Sequence, residues 1–133
     1  MADGALIDSA DIPGGGHLYL VRYGQDFEIL FGEEQLMGSW ASRSEQALAT
    51  LACERMARRA GQLLIGGLGM GFTLGAALLA LPAHATIVVA ELVPKVVTWA
   101  NGFLAHIFGD ILDDPRVSLE VRDVHDVIVE QRE

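Results

Sequence analysis

Four residues set the chemistry this chain can do. Gly67, Gly69 and Gly71 form a G-x-G-x-G loop directly after the apolar run Leu63-Leu64-Ile65, and Glu91 closes a second apolar run, Thr86-Ile87-Val88-Val89-Ala90. An apolar strand, a glycine loop, a helix, a second strand and a terminal carboxylate make up a Rossmann-type βαβ unit that holds a nucleoside-containing cofactor. The loop glycines let the backbone pass close beneath the ligand, and a carboxylate at the position of Glu91 accepts hydrogen bonds from both ribose hydroxyls. An acid there also serves NAD enzymes, so Glu91 alone does not choose the cofactor. The glycine spacing does. A dinucleotide loop, G-x-G-x-x-G, needs glycine or alanine at position 72, where Phe72 stands, and starting the pattern at Gly66 meets Leu68 where glycine is required. A bulky Phe72 opposes the tight helix–strand packing beneath a pyrophosphate.

The G-x-G-x-G loop resembles motif I of the S-adenosylmethionine-dependent methyltransferases and of their relatives, the spermidine synthases. The likeness extends in both directions. Upstream, Phe31-Gly32-Glu33-Glu34-Gln35-Leu36-Met37, followed by a helical stretch from Ser42 to Arg59, resembles the way spermidine synthase-like proteins begin. The resemblance implies that Gln35 approaches the cofactor from above. Downstream, Asp113-Asp114-Pro115-Arg116-Val117 leads into a strand closed by Asp123, a pattern similar to that of spermidine synthases. There the aspartate after the third strand receives the adenine amino group, which Asp123 would do here. Members of that family often flank this aspartate with glycine; this chain has Arg122 and Val124. The implied cofactor is S-adenosylmethionine or its decarboxylated form. The implied activity is methyl or aminopropyl transfer to an acceptor the sequence does not name. Two rivals remain: a non-catalytic binding or assembly module of the same fold, and an NAD-dependent oxidoreductase fragment, against which Phe72 counts.

The elements that position these residues are legible as patterns. Residues 1–16 are polar and end in Pro13-Gly14-Gly15-Gly16, which predicts a flexible arm. Residues 17–41 read as a β-hairpin region: two β-rich runs, 17–23 and 26–31, surround Gly24-Gln25, and a short third strand follows. Ser42 with Glu45 forms a capping box, and Ala47, Leu48, Leu51, Ala52 and Met56 share one helix face. Beyond Glu91, Pro94 opens a helix whose apolar stripe runs through Val96, Val97, Ala100, Phe103, Leu104 and Ile107 to a cap at Gly109. Val117 to Val121 alternates as a third strand, and a helix begins near His125 and Asp126, which suit its cap or a solvated position there better than a polar pair at the pocket mouth. The expected fold is α/β, a Rossmann-like (class I methyltransferase-type) parallel sheet over 42–133, truncated after strand three and preceded by the hairpin region. Truncation there leaves strand one as an exposed apolar edge, an association hazard. A fragment of a longer protein, or a homo-oligomer joined through that edge or the hairpin, is therefore expected.

Composition narrows the partners. The 133 residues carry a net charge of −9 with the acids dispersed, so no basic footprint for nucleic acid exists. From Leu63 to Ala90 no side chain is formally charged, a length that could cross a bilayer. Clustered glycines, Pro82, His84 and the β-branched run at 86–89 break that reading, and a buried parallel strand is equally apolar. No basic-then-apolar leader opens the chain, so a cytoplasmic location is expected. Cys53 is the only cysteine and reads as a small buried apolar group; His84 and His106 have no second ligand at metal-binding spacing, so no metal site is expected. Trp40, between hairpin and helix, either covers a bound adenosyl group or caps the core, while Trp99 belongs to helix packing. No residue stands out as a catalytic base.

Overall fold

Alternation of buried and more exposed residues, clear over 26–31 and looser over 17–23, builds the first layer. A computed structural model describes residues 4–39 and 62–131. The expectations for Trp40, the Ser42–Glu45 capping box, the helix it opens, and Cys53 lie outside the described residues. Strands β1 (Ala5–Asp11), β2 (His17–Tyr23), β3 (Asp26–Phe31) and β4 (Glu34–Gly38) form an antiparallel meander in that order. Leu18, Leu20, Phe27 and Ile29 turn inward and are buried, which fixes the register of β2 against β3.

The arm expected over residues 1–16 is corrected by this sheet. Ala5–Asp11 is a full edge strand paired with β2, and the glycines after Pro13 make its turn, where the Gly15 N–H donates to the Ile12 carbonyl at 2.9 Å. The three glycines at 14–16 all hold positive φ, the left-handed region that a hairpin reversal uses. The polar residues of β1 misled the sequence reading because an edge strand exposes much of its surface. The β-hairpin region is therefore a four-stranded sheet that begins before residue 17.

The second layer is the parallel sheet β5 (Gln62–Gly66), β6 (Thr86–Ala90) and β7 (Val117–Glu120), in the order β5-β6-β7. Helix α1 (Phe72–Ala80) crosses from β5 to β6, and α2 (Pro94–Asn101) with the short α3 (Ala105–Phe108) crosses from β6 to β7; α4 (Val124–Gln131) follows β7. The continuous helix expected from Pro94 to Ile107 is interrupted at Gly102, whose φ of −124° and ψ of −103° leave the helical region. β6 is buried along Ile87–Ala90 as the middle strand, the reason its sequence is an unbroken apolar run. One apolar core joins both sheets: Leu20, Phe27 and Ile29 pack in a common cluster with Ile65, Val89, Trp99 and Leu104. Among the described residues, no helix is long and apolar enough to cross a membrane.

Candidate functional site

The three parallel strands deliver their ends to one side of the molecule. The Gly67 N–H continues the ladder by donating to the Ala90 carbonyl at 2.8 Å, and the Glu91 N–H donates to the Glu120 carbonyl at 2.8 Å. The glycine loop, Glu91 and the β7–α4 turn thus sit side by side at the carboxyl edge, where open α/β sheets bind ligands.

Within the loop, two glycines are required by geometry. At Gly71 (φ 84°) an added Cβ would stand 2.7 Å from the Phe108 ring and 3.1 Å from Ile111; at Gly69 (φ 53°) it would meet the Met37 thioether, 2.5 Å from Cε and 2.6 Å from Sδ. The first contact is with the packed shell beneath the loop. The second shows that the flexible end of the Met37 side chain, from β4, rests directly on the loop. Gly71 also serves as the N-cap of α1.

Glu91 is buried at 7% exposure and each oxygen of its carboxylate accepts one backbone N–H. Oε1 accepts the Leu68 N–H at 2.9 Å and Oε2 accepts the Val93 N–H at 3.0 Å. The side chain therefore pins the glycine loop to the segment following β6. A carboxylate offers about four acceptor positions, so one on each oxygen stays available for a second pair of donors spaced like a vicinal diol.

A cleft of about 370 Å³ opens over these groups. Its floor is the 66–73 segment with Glu91, Val93 and Val96; its roof is the antiparallel sheet, through Ile12, Leu18, Ile29, Phe31, Leu36 and Met37. The volume suits a small organic ligand, and the mixture of an apolar roof with one carboxylate and exposed loop backbone suits a nucleoside. Of the residues singled out from sequence, Gly67, Gly69, Gly71 and Glu91 line this cleft.

Gln35 and Asp123 do not line it. A bulge in the β3–β4 pairing shifts the register so that Met37 lies opposite Ile29 while Gln35 lies opposite Leu30, on the outer face. There the Gln35 amide donates to Glu28 Oε2 at 2.6 Å, and the Tyr23 hydroxyl donates to the other Glu28 oxygen at 3.1 Å. Asp123 is at the strand end but exposed, and its Oδ1 accepts the His125 N–H at 2.9 Å, so it caps α4. His125 and Asp126, expected to cap the helix or to stand in solvent, are both exposed, and the cap is Asp123. Met37, Leu36 and Phe31 are the cleft residues that sequence reasoning missed. The inward phase of β3 extended through the β4 pairing would have found Met37, had the bulge been visible. Among the described residues no cluster of His, Cys, Asp and Glu forms a metal site.

Solved structures share this fold. A spermidine synthase in complex with the transition-state analogue AdoDATO superimposes with a TM-score of 0.75 at 16% identity, over 94% of this chain and 43% of that one. The chain has a spermidine synthase-like fold. The spermidine synthase of Thermotoga maritima matches with a TM-score of 0.73 at 16% identity, over 94% of this chain and 42% of that one. The chain thus spans less than half the length of these spermidine synthases. No family model and no curated protein matches the sequence.

Proposed function

We propose that this chain is the cofactor-holding portion of a spermidine synthase-like transferase and that its cleft binds the adenosyl part of S-adenosylmethionine or its decarboxylated form. The observation that carries the reading is the placement of Glu91. A buried carboxylate spans the glycine loop and the end of β6 at the cleft floor, with an acceptor position left on each oxygen. The bound analogue in the first of the spermidine synthase structures supports an adenosyl sulfur ligand rather than a dinucleotide, as does Phe72 at the position where a pyrophosphate loop needs a small residue.

In this reading the Gly67–Gly71 backbone supports the ligand, Glu91 accepts the ribose hydroxyls, and Asp123 releases its cap to accept the adenine amine. Gln35 stays with Glu28 on the outer face of the sheet. The transfer itself is attack by a nucleophilic acceptor on a carbon bonded to the sulfonium sulfur, with the thioether leaving; the protein contributes position. The described cleft residues other than Glu91 include no proton-transfer group, which favours, as the second reading, a binding or assembly module that retains the cleft without the chemistry.

The test is calorimetric titration of the chain with S-adenosylmethionine, methylthioadenosine and NAD, in parallel with Glu91→Gln. Binding of an adenosyl sulfur compound that weakens in the variant supports the proposal. Binding of NAD in preference, or of none of the three, refutes it.

A further inference from the structure

The roof of the cleft belongs to one sheet and the floor to the other, so the site exists only while the two stay docked. One carboxylate joins them by polar contacts. Asp8 of β1 accepts Lys95 Nζ at 2.9 Å on Oδ1 and 3.1 Å on Oδ2, and its Oδ2 also accepts the Trp99 indole N–H at 3.0 Å. Lys95 and Trp99 lie on α2, which begins three residues after Glu91.

Asp8 reaches this position through a backbone irregularity. Leu6 pairs with Val21, but Asp8 pairs with Leu20, so Ile7 is the extra residue of a bulge. Regular pairing would have set Ile7 opposite Leu20 and turned Asp8 to the outer face, because a one-residue slip exchanges the faces of a strand. The bulge instead places a carboxylate across from the fully buried Leu20, on the core side, where the fully buried Trp99 needs a partner for its indole N–H. Apolar packing alone would have favoured Ile7 there.

We propose that Asp8 is a positioning residue for the nucleoside cleft: its clasp on Lys95 and Trp99 holds the antiparallel sheet down as a roof, seating Met37 on Gly69. The proposal rests on the nucleoside reading of the cleft. The anchored helix is continuous with the segment that supplies Glu91, Val93 and Val96 to the floor. Releasing the clasp leaves the parallel sheet intact but frees the β1 edge, next to Ile12 of the cleft, and the tilt passes through the paired β2 and β3 to β4 on the opposite edge, lifting it from the glycine loop. If the docked state falls to about a tenth of the population, apparent affinity falls about tenfold.

The experiment uses the full chain with Asp8→Ala, Asp8→Asn and Lys95→Met, at a temperature where all are folded. Two readouts are taken: the methylthioadenosine dissociation constant, and amide hydrogen exchange with and without ligand. The expected result for Asp8→Ala is about tenfold weaker binding, with faster exchange at Met37 and at Leu68–Gly71 and unchanged protection at Ile87 and Val89. Asp8→Asn, which keeps an acceptor for Trp99, should recover part of both effects. Affinity within twofold of wild type in Asp8→Ala overturns the proposal, and so does loosened exchange spread evenly over both sheets, the mark of a merely structural residue. If the wild-type chain binds no nucleoside but Asp8→Ala loosens β4 and the loop selectively, the clasp stands and the nucleoside reading alone falls.

Discussion

Removing the Glu91 carboxylate should cost stability and binding together, and the two losses can be apportioned. The carboxylate accepts the Leu68 and Val93 N–H groups, both on residues that are almost fully buried. A hydrogen bond to a charged group contributes about 1.5–3 kcal/mol, and a donor left without a partner forfeits its desolvation as well. Water entering from the cleft offsets part of this, so Glu91→Ala should lose about 2–4 kcal/mol, a large share of the roughly 5–15 kcal/mol that keeps a small domain folded. Glu91→Gln keeps one acceptor oxygen but turns an NH₂ toward the other N–H, and should lose about 1–3 kcal/mol. Urea denaturation followed by circular dichroism measures both, with the slope against urea unchanged if the fold is unchanged. Nucleoside affinity, measured where each variant is folded, should fall about 100-fold in Glu91→Ala, from two charge-assisted hydrogen bonds to the ribose at roughly 1.4 kcal/mol per tenfold. A Glu91→Ala chain as stable as wild type within about 0.5 kcal/mol would refute the reasoning, because the carboxylate would then not be holding the loop.

Other perturbations separate the parts of the site. Gly71→Ala combines a left-handed φ with a 2.7 Å approach to the Phe108 ring and should destabilise by about 2–4 kcal/mol in thermal or urea unfolding. Gly69→Ala meets only the flexible end of Met37, so it should cost about 1–2 kcal/mol in the same unfolding assay while weakening nucleoside binding in titration as much as Gly71→Ala does. The Lys95 hydrogen bonds, with that of Trp99, hold the Asp8 carboxyl down from 3.8 to about 2. A pKa depressed in the folded state adds stability above the ordinary value that is lost as pH falls through the folded one, so melting temperature should drop between about pH 4 and pH 2, and Asp8→Asn should flatten that slope. Asp114, lowered by its hydrogen bonds from Arg116, adds a decline of the same sign. Among the described residues nothing pairs with the outer edge of β5, so sedimentation at micromolar concentration should show self-association; a strictly monomeric chain would contradict edge pairing.

The parallel unit was legible because burial on both faces writes itself as apolar runs. Leu63–Ile65 and Thr86–Ala90 could be little other than inner strands once the glycine loop stood between them, and Glu91 followed from its place at the second strand's end. The antiparallel sheet was half legible. Of its two central strands 26–31 has a clear period of two and 17–23 a looser one, whereas β1 exposes most of its residues and runs into Pro13 and three glycines, so it reads as an arm. Neither bulge leaves a mark in the sequence, yet each decides which face a key side chain takes: one brings Asp8 inward, and the other turns Gln35 away from the cleft and Met37 toward it. The resemblance that implied a role for Gln35 carries a position along the chain, while the contact depends on the register. The interruption at Gly102 was hidden by an apolar stripe that continues in phase across it, from Val96 to Ile107.

The central claim is that one nucleoside sits between the glycine loop and the antiparallel roof, on Glu91. Amide chemical-shift mapping of the isotopically labelled chain during titration with methylthioadenosine tests it most directly. The account predicts saturable shifts at Gly67–Gly71, Glu91 and Val93 on the floor and at Leu36 and Met37 on the roof, with His125 moving as Asp123 exchanges its cap for the adenine. Shifts confined to the neighbouring groove, lined by Leu79, Asp110 and Asp113, or no shifts at ligand concentrations up to the millimolar range, would contradict it.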